Sequence, residues 1–538
     1  MSARFGSASW LATIAVACLA LSCGGTGSDN GGAGGDAGTG GPGAGGAGGS
    51  GGSLAPSVEV SIADDRIRVL QDGSEDVLVE IVRQNGFEGD VNVSVSGLPA
   101  GVTVGSLQIP GGSDTGSLSV TASSSANDGG PFLVDLAATS VNDSAISSTV
   151  EVPLFVARDS GELDTSFSFD GMVLYSVTDR DSDDPRSIVR DNDGRLIVGG
   201  VGQGAAPSVG WLVRFLPSGA IDPSFGTEGE VFGFAKGSDP ESSVSTVFQR
   251  DENGLIVFAS SSGVGDGTQY LRAFGEDGNV DTTFSAGGDA VLQVFCQSVV
   301  EAPSGYVCVK NLNEMSLLTP DGVEDPSFAV TAPLPTDLGS VAVDSQGRVV
   351  FGGVTDTDPF LIARLTPTGA PDNSFGTAGS LTVPLIANQD TAQILRIAML
   401  PDDGGLALAA SNDPGTNLGE RQVFLIRFRS DGTVDPGFGT QGVARVLGPG
   451  ELGFTDRLFV QGDGRIVVSA GISTGGFSSD PILKRFDPDG SVDLTFGSAG
   501  QIDLPSVPRG LVYDADADRV IVVGAPTLDG IELSRIWL

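Results

Sequence analysis

The sequence predicts an all-β protein, a β-sandwich followed by a seven-bladed β-propeller. Three observations carry this. Apolar residues alternate strictly at period two from Pro56 to about Val156. From residue 162 one short phrase, written "AIDPSFGTEG" at 220–229, occurs seven times in close variants. The apolar runs between these phrases are short and strand-like, bounded by Asp-Gly and Asn-Gly turns.

Residues 1–22 read as an export signal. Arg4 supplies a positive start, and "LATIAVACLALS" (11–22) is an apolar run too short to span a bilayer as a mature helix. Residues 23–55 follow as a flexible tether. Glycine fills 17 of the 30 positions from 24 to 53, a composition that cannot bury enough apolar surface to offset the entropy of ordering. Its reach is roughly 30 Å root-mean-square.

Residues 56–157 form the predicted sandwich. "SVEVSI", "DVNVSVSGL", "GSLSV", "FLVDLAA" and "STVEVPLFV" each set apolar residues on one face, and turn chemistry such as "QDGS" and "ANDGGP" separates them. Residues 158–538 form the predicted propeller. Its phrases read "LDTSFS", "IDPSFGTEG", "VDTTFSAGG", "EDPSFAV", "PDNSFGTAG", "VDPGFGTQG" and "VDLTFGSAG". Their phenylalanines, Phe167, Phe225, Phe284, Phe328, Phe375, Phe438 and Phe496, stand 58, 59, 44, 47, 63 and 58 residues apart. After each phrase comes a short apolar strand. Two strands around a tight turn follow, as in "SIVRDNDGRLIVGG" and "RLFVQGDGRIVVSA". A fourth strand such as "WLVRFLPSG" or "FLIRFRSDG" then leads to the next phrase. Four strands repeated seven times bury their faces only against neighbouring blades. The third unit departs from the rule, being 44 residues long and turning at "PSG".

Three stretches resemble known families. "ALSC" (20–23) resembles a bacterial lipobox, although Ala20 stands where that pattern most often has Leu. The resemblance implies lipidation of Cys23 and an outer-membrane or cell-surface address, with a secreted or periplasmic chain as the alternative. "GFEGDVNVSVSGLPAGV" resembles bacterial Ig-like surface modules, which implies an Ig-like spacer or adhesive module with no catalytic residues. The grammar of residues 162–538, "DPSFG" followed by a turn-and-strand "DGR" segment and a strand ending in Arg, resembles the delta-60 repeat family of secreted and surface-attached bacterial proteins. It implies a propeller-like domain with no settled ligand.

Charge narrows the chemistry further. With 28 Lys and Arg against 68 Asp and Glu, the net charge is −40, a field that repels nucleic acid and anionic membrane surfaces. There is no histidine, which removes Ser-His-Asp and Cys-His catalysis and imidazole metal sites. Trp and Tyr are scarce at three and four, which weighs against the aromatic platforms of sugar clefts.

The phrase itself has a structural and a ligand-facing reading. An aspartate stands three positions before each phenylalanine: Asp164, Asp222, Asp281, Asp325, Asp372, Asp435 and Asp493. Its side chain is expected to accept backbone N–H groups of the turn while the phenylalanine plugs between blades. An arginine stands eleven before the phenylalanine in four units, Arg214, Arg364, Arg427 and Arg485, and Arg535 matches them in the last. Each is expected to fork onto a carboxylate or carbonyls of a phrase as a latch; a ligand-facing ring is the alternative. Cys296 and Cys308 flank "EAPSG" and read either as a disulfide across a hairpin or as two buried thiols. Asp179, Asp181, Asp183 and Asp184 crowd the loop "TDRDSDDP", a Ca²⁺ candidate without the spacing of an EF-hand. "DADAD" (514–518) aligns with the hairpin turns of other units and reads as a turn.

Taken together these features lead to a non-enzymatic, lipid-anchored surface protein. Its propeller is expected to bind a protein or polysaccharide partner, with no cofactor beyond possible Ca²⁺, no nucleic acid and a monomeric state. A carboxylate-based polysaccharide hydrolase or lyase is the rival reading.

Overall fold

The computed structural model describes residues 55–538 except 179, 251–252, 263–266, 286, 311–313, 333, 336, 355–360, 383–392, 402–404, 413–421, 448–452, 476–477 and 527–529. The lipidation candidate Cys23 and the tether lie outside the described residues. All elements named among the described residues are strands.

Nine of them build a two-sheet sandwich: β1 (Ser57–Ile62), β2 (Ile67–Leu70), β3 (Ser74–Gln84), β4 (Val91–Ser96), β5 (Val102–Val104), β6 (Leu107–Ile109), β7 (Thr115–Ala122), β8 (Gly129–Ser140) and β9 (Ser147–Ala157). One sheet runs β1-β3-β7-β5 and the other β2-β9-β8-β4-β6. The period-two alternation does the work here. In β3, Val77, Val79 and Ile81 are buried while the residues between them are exposed. They meet Leu118, Val120, Val134 and Leu136 in one core. Each such side chain contributes about 1.5–3 kcal/mol of burial.

Seven further sheets follow. β10 (Met172–Tyr175) comes first in the chain. The first sheet then holds β11 (Ser182–Arg190), β12 (Leu196–Gln203), β13 (Val209–Phe215) and β14 (Glu230–Val231). The second holds β15 (Glu241–Gln249), β16 (Leu255–Ser262), β17 (Thr268–Phe274) and β18 (Asp289–Val291), and the third β19 (Ser298–Ala302), β20 (Gly305–Val309) and β21 (Met315–Leu318). The fourth holds β22 (Asp337–Val343), β23 (Val349–Val354), β24 (Leu361–Leu365) and β25 (Ser380–Thr382). The fifth holds β26 (Gln393–Met399), β27 (Leu406–Asn412), β28 (Gln422–Phe428) and β29 (Val443–Arg445). The sixth holds β30 (Gly453–Val460), β31 (Ile466–Gly475), β32 (Ser478–Phe486) and β33 (Gln501–Asp503), and the seventh β34 (Pro508–Asp514), β35 (Arg519–Gly524) and β36 (Ile531–Trp537).

The sheet boundaries are displaced by one strand from the sequence repeat. The short strand after each phrase does not open its own unit's sheet; it folds back onto the strand before the phrase, as β14 does on β13 through Leu212↔Val231 and Val213↔Glu230. The phrase is a reversal, and hydrogen bonding across it (Arg214 N–H to Gly229 O, 3.0 Å) makes that return the nearest pairing. The displacement leaves β10 without a sheet of its own. It pairs instead with β36, from Met172↔Ser534 to Tyr175↔Ile531, and completes the seventh sheet. Strands from both ends of the repeat region therefore share one sheet. The short third unit yields three strands among the described residues rather than four.

Neighbouring sheets stack in order. The first strands touch, β11 with β15, β19 with β22, β22 with β26, β26 with β30 and β30 with β34, and β34 touches β11. The second and third sheets share a core of Phe248, Phe258, Leu271, Val299 and Tyr306. The arrangement is propeller-like. Strands buried on both faces read as unbroken apolar runs, and every residue of β12 up to Gly202 is buried. Gly199 shows how close the sheets come: a Cβ there would lie 2.7 Å from both Val244 Cγ1 and Val247 Cγ2 of the next sheet.

Candidate functional site

The phrase is the feature repeated most faithfully, and its chemistry recurs from unit to unit. In all seven, one oxygen of the phrase aspartate accepts the backbone N–H two residues on: Ser166, Ser224, Thr283, Ser327, Ser374, Gly437 and Thr495, at 2.8–3.2 Å. Where that residue is Ser or Thr its hydroxyl donates to the same oxygen, at 2.6 Å for Asp222. The turn closes in this way, and the phenylalanine is driven inward. Phe167, Phe225, Phe375, Phe438 and Phe496 are fully buried, and Phe284 and Phe328 nearly so.

The second oxygen meets the repeated arginine. Arg214 Nε donates to Asp222 at 2.8 Å, Arg364 Nε to Asp372 at 2.7 Å and Arg485 Nε to Asp493 at 2.8 Å. Arg427 pairs more loosely with Asp435, at 3.4 Å. The rest of each guanidinium reaches sideways. Arg364 Nη1 donates to Ser430 O at 2.8 Å, Arg427 Nη1 to Pro488 O at 2.5 Å, and Arg214 Nη1 to Glu276 O, each a carbonyl of the next sheet's turn. The guanidinium also lies over its own phrase phenylalanine, 4.5 Å from the Phe225 centroid and 4.7 Å from that of Phe375. One side chain thus ties a strand, a turn and the neighbouring sheet.

The backbone repeats the tie. The residue after the phenylalanine donates to a turn carbonyl of the next sheet in six units: Ser168 to Ser218, Gly226 to Asp277, Ala329 to Thr368, Gly376 to Asp431, Gly439 to Asp489 and Gly497 to Ser160, at 2.6–2.9 Å. Gly226 does so at φ 58°, a left-handed conformation, and a Cβ there would sit 2.2 Å from Glu230 O.

Where β10 meets β36 the joint is doubled. Asp164 is fully buried and receives two arginines, Arg519 Nη1 at 2.6 Å and Arg535 Nε at 2.8 Å. Arg535 also donates to Ser166 Oγ at 2.8 Å and to Pro217 O at 2.5 Å. Burial pushes the Asp164 carboxyl up, but the two guanidinium charges and the Ser166 hydroxyl hold it below the ordinary aspartate range. Burial, with the like charge of Arg519, lowers Arg535 to about 10. In Asp222, Asp372 and Asp493 burial likewise raises the carboxyl, while the following Ser or Thr and the arginine carry it below the usual value.

A second set of arginines escaped the sequence reading. Arg195, Arg348 and Arg519 follow the hairpin turns, and each reaches back to a buried aspartate opening that turn: Asp191 at 2.7 Å, Asp344 at 2.5 Å and Asp514 at 2.8 Å. Arg465 occupies the same place and lies 3.3 Å from phrase Asp493. The signal was present in the recurring "DGR" and "QGR" of the hairpins.

The other candidates separate. Asp179 lies outside the described residues. Asp183 is buried and accepts the N–H groups of Val177 and Thr178 and the Thr178 hydroxyl, at 2.9, 3.2 and 2.6 Å. Asp181 accepts Ala205 N–H at 3.2 Å, and Asp184 faces Arg186 and Arg509 at 3.5 and 3.6 Å. Among the described residues no three acidic or cysteine side chains gather as a metal cage. Cys296 and Cys308 are bonded to each other, Cα to Cα 5.4 Å. The bond ties the loop before β19 to β20, whose Cys308 faces Val299 across the ladder, so the two cysteines are not cross-strand partners. "DADAD" is the hairpin turn between β34 and β35.

The sandwich docks on the closing sheet. Arg68 Nη2 donates to Leu538 O at 2.9 Å, Thr165 N–H and hydroxyl to Asp128 at 2.9 and 2.5 Å, and Phe155 and Ala157 pack on Trp537 and Ala517. A cavity of about 210 Å³ remains at this junction, between Arg66, Phe155, Arg190 and Arg519. Its arginines are already paired, Arg66 with Ala515 O and Asp516 O and Arg190 with Asp514 and Asp516.

A family model described as "Domain of unknown function (DUF5122) beta-propeller" matches residues 192–225, 415–438 and 461–496. All three matches end on a phrase phenylalanine, Phe225, Phe438 or Phe496. No curated protein matches the chain. Among solved structures it is similar to Chaetomium thermophilum Sqt1 bound to the N-terminus of the ribosomal protein L10, at 13% identity over 68% of this chain and 100% of that one, TM-score 0.38. It is similar to a puromycin hydrolase, at 13% identity over 72% of this chain and 54% of that one, TM-score 0.38. A third likeness is to an α-L-arabinofuranosidase from Lactobacillus brevis, at 11% identity over 60% of this chain and 96% of that one, TM-score 0.25. The delta-60 resemblance carried by the repeated phrase is of the same kind as the family match: over three stretches, the chain is similar to the DUF5122 beta-propeller family.

Proposed function

We propose that the chain is a non-enzymatic scaffold of the cell surface. A seven-bladed propeller, set on an Ig-like sandwich and a glycine-rich tether anchored through lipidated Cys23, holds a binding surface away from the membrane. Its partner is an envelope or extracellular protein or polysaccharide. One observation supports this reading above the others. The residues the repeat retains in every unit, the phrase aspartate and phenylalanine, are taken up by turns and by joints between sheets. What the repetition encodes is therefore a closed, rigid body; whatever is recognised is read by residues that differ between units.

The test is co-sedimentation of the full-length chain with purified envelope polysaccharide, with Ca²⁺ and with EDTA, followed by chromatography of the supernatant sugars. Binding without shortening of the polysaccharide is the expected result, or no binding where the partner is a protein. Release of shorter saccharides would replace the scaffold with a carboxylate-based hydrolase or lyase.

A further inference from the structure

Six of the seven innermost strands carry a β-bulge at the same height. The extra residues are Arg186, Ser245, Gly339, Leu395, Asp456 and Arg509, each passed over between two consecutive register pairs. A bulge in an edge strand breaks the ladder and re-aims a side chain. Here the edge is the one that faces the axis of the propeller, since first strands touch one another in an unbroken run from β19 through β22, β26, β30, β34 and β11 to β15.

Arginine occupies the bulge or the next position in four of these strands: Arg186 in β11, Arg396 in β26, Arg457 in β30 and Arg509 in β34. The four belong to consecutive sheets, the fifth, sixth, seventh and first. Contacts join part of the row. Arg457 Nη2 donates to the main-chain oxygen of Arg509. Arg509 and Arg186 then flank one carboxylate, Asp184, at 3.6 and 3.5 Å. Those distances are too long for strong charge-assisted hydrogen bonds. The two side chains keep 51% and 36% of their surface exposed. A molecule of net charge −40 with 28 basic residues thus sets four of them at one height on one side of its axis.

We infer that this row is a binding site for a small oxyanion, a phosphate, a sulfate or a single carboxylate, entering along the propeller axis. The inference rests on the seven-bladed reading proposed above. Guanidinium forks match the geometry of such groups. Size follows from the field: the acidic surface repels a polyanion at long range, whereas one oxyanion can approach the row to within a Debye length, about 8 Å in physiological salt, and meet the guanidinium groups directly. Asp184 is the internal competitor, a carboxylate already lying between two of the ligands the anion would use.

The experiment is titration calorimetry of the full-length chain at low ionic strength with inorganic phosphate, sulfate and galacturonate. Binding should weaken by about tenfold or more in R186Q/R509Q, one charge-assisted contact being enough for a decade. It should be unchanged in the charge-matched R158Q/K310Q. D184N should bind severalfold more tightly, a gain that misfolding cannot imitate. Phosphate and sulfate binding without galacturonate would identify an inorganic ion, galacturonate alone an acidic sugar, and either supports the site. Failure of all three to bind, an unchanged R186Q/R509Q, or a D184N that binds no better would overturn it. Negative-stain images separate the two levels: a seven-lobed ring without anion binding removes the site and leaves the propeller, and absence of the ring removes both.

Discussion

Replacing Arg535 with Met tests whether burial or mere repetition makes the phrase arginine a latch. The substitution removes the guanidinium that lies over Phe167 and the charge beside Asp164, which is fully buried. Removing one partner of a buried pair costs about 3–5 kcal/mol. Asp164 keeps Arg519 at 2.6 Å, so the lower end, about 3 kcal/mol, is expected. Arg427 fills the same repeat position, yet it and Asp435 retain 24% and 20% exposure at 3.4 Å. Arg427→Met should therefore cost about 1 kcal/mol or less. Residues 55–538 number 538 − 54 = 484. At about 2.1 cal/mol/K per residue, the unfolding entropy is about 1 kcal/mol/K and the expected falls in Tm are about 3 °C and under 1 °C. Scanning calorimetry at pH 7 reads both. A double-mutant cycle with Asp164→Asn should show the pair losing less together than the two single losses summed. Equal losses at Arg535 and Arg427, or strict additivity at 164 and 535, would refute the argument that burial makes the latch.

Four more outcomes are expected. Asp164, Asp222, Asp372 and Asp493 titrate in the fold below their ordinary value of 3.8, so their stabilisation is complete above that value and is lost as pH falls through the lower folded ones. With no histidine present, Tm measured from pH 8 to 2.5 should be nearly flat down to pH 5 and fall steeply below 4; a fall centred near pH 6 would contradict this. Reducing Cys296–Cys308, which closes a separation of 12 residues, should lower stability by about 3 kcal/mol, read as a Tm difference with and without dithiothreitol. Gly226→Ala puts a Cβ against Glu230 O at φ 58° and should cost about 1–3 kcal/mol, whereas Gly233→Ala, with φ 89° but nothing within 4 Å, should cost less in the same melts. Adding Ca²⁺ to EDTA-treated protein should move Tm by no more than about 1 °C, because buried Asp183 already accepts three hydrogen bonds from Val177 and Thr178; a shift of several degrees would make the acidic loop a metal site.

Local chemistry made much of this legible and non-local pairing hid the rest. The Asp222–Ser224 turn and the plugged Phe225 follow from residues two and three positions apart, which is why the phrase declares itself in the sequence. The Arg214–Asp222 pair spans eight residues and recurs, so its periodicity was enough to find it. Alternation tells which face of a strand is buried but never which strand lies alongside. For that reason the one-strand offset between repeat and sheet, and the pairing of β10 with β36, had no sequence signature. Bulges were invisible for the same cause: Arg186 and Arg509 become special only once two strands disagree in length across a ladder.

The pairing of the first and last strands of the repeat region sets an order of events for folding. Ser166 and Arg535, in contact at closure, are 369 residues apart in the chain. Hairpins within each sheet are local and form fast, so sheets can stack as the chain is made, while the last waits with the edge of β36 unpaired. An open edge of that kind invites a strand from a second chain, giving swapped dimers or longer chains of molecules. The sandwich answers the hazard by position. It precedes β10 by a short connection and holds the end of β36 through Arg68 and Leu538, so the correct strand competes from within the same chain at a raised effective concentration. In this sense the N-terminal domain is a built-in folding guide for the sheet on which it stands.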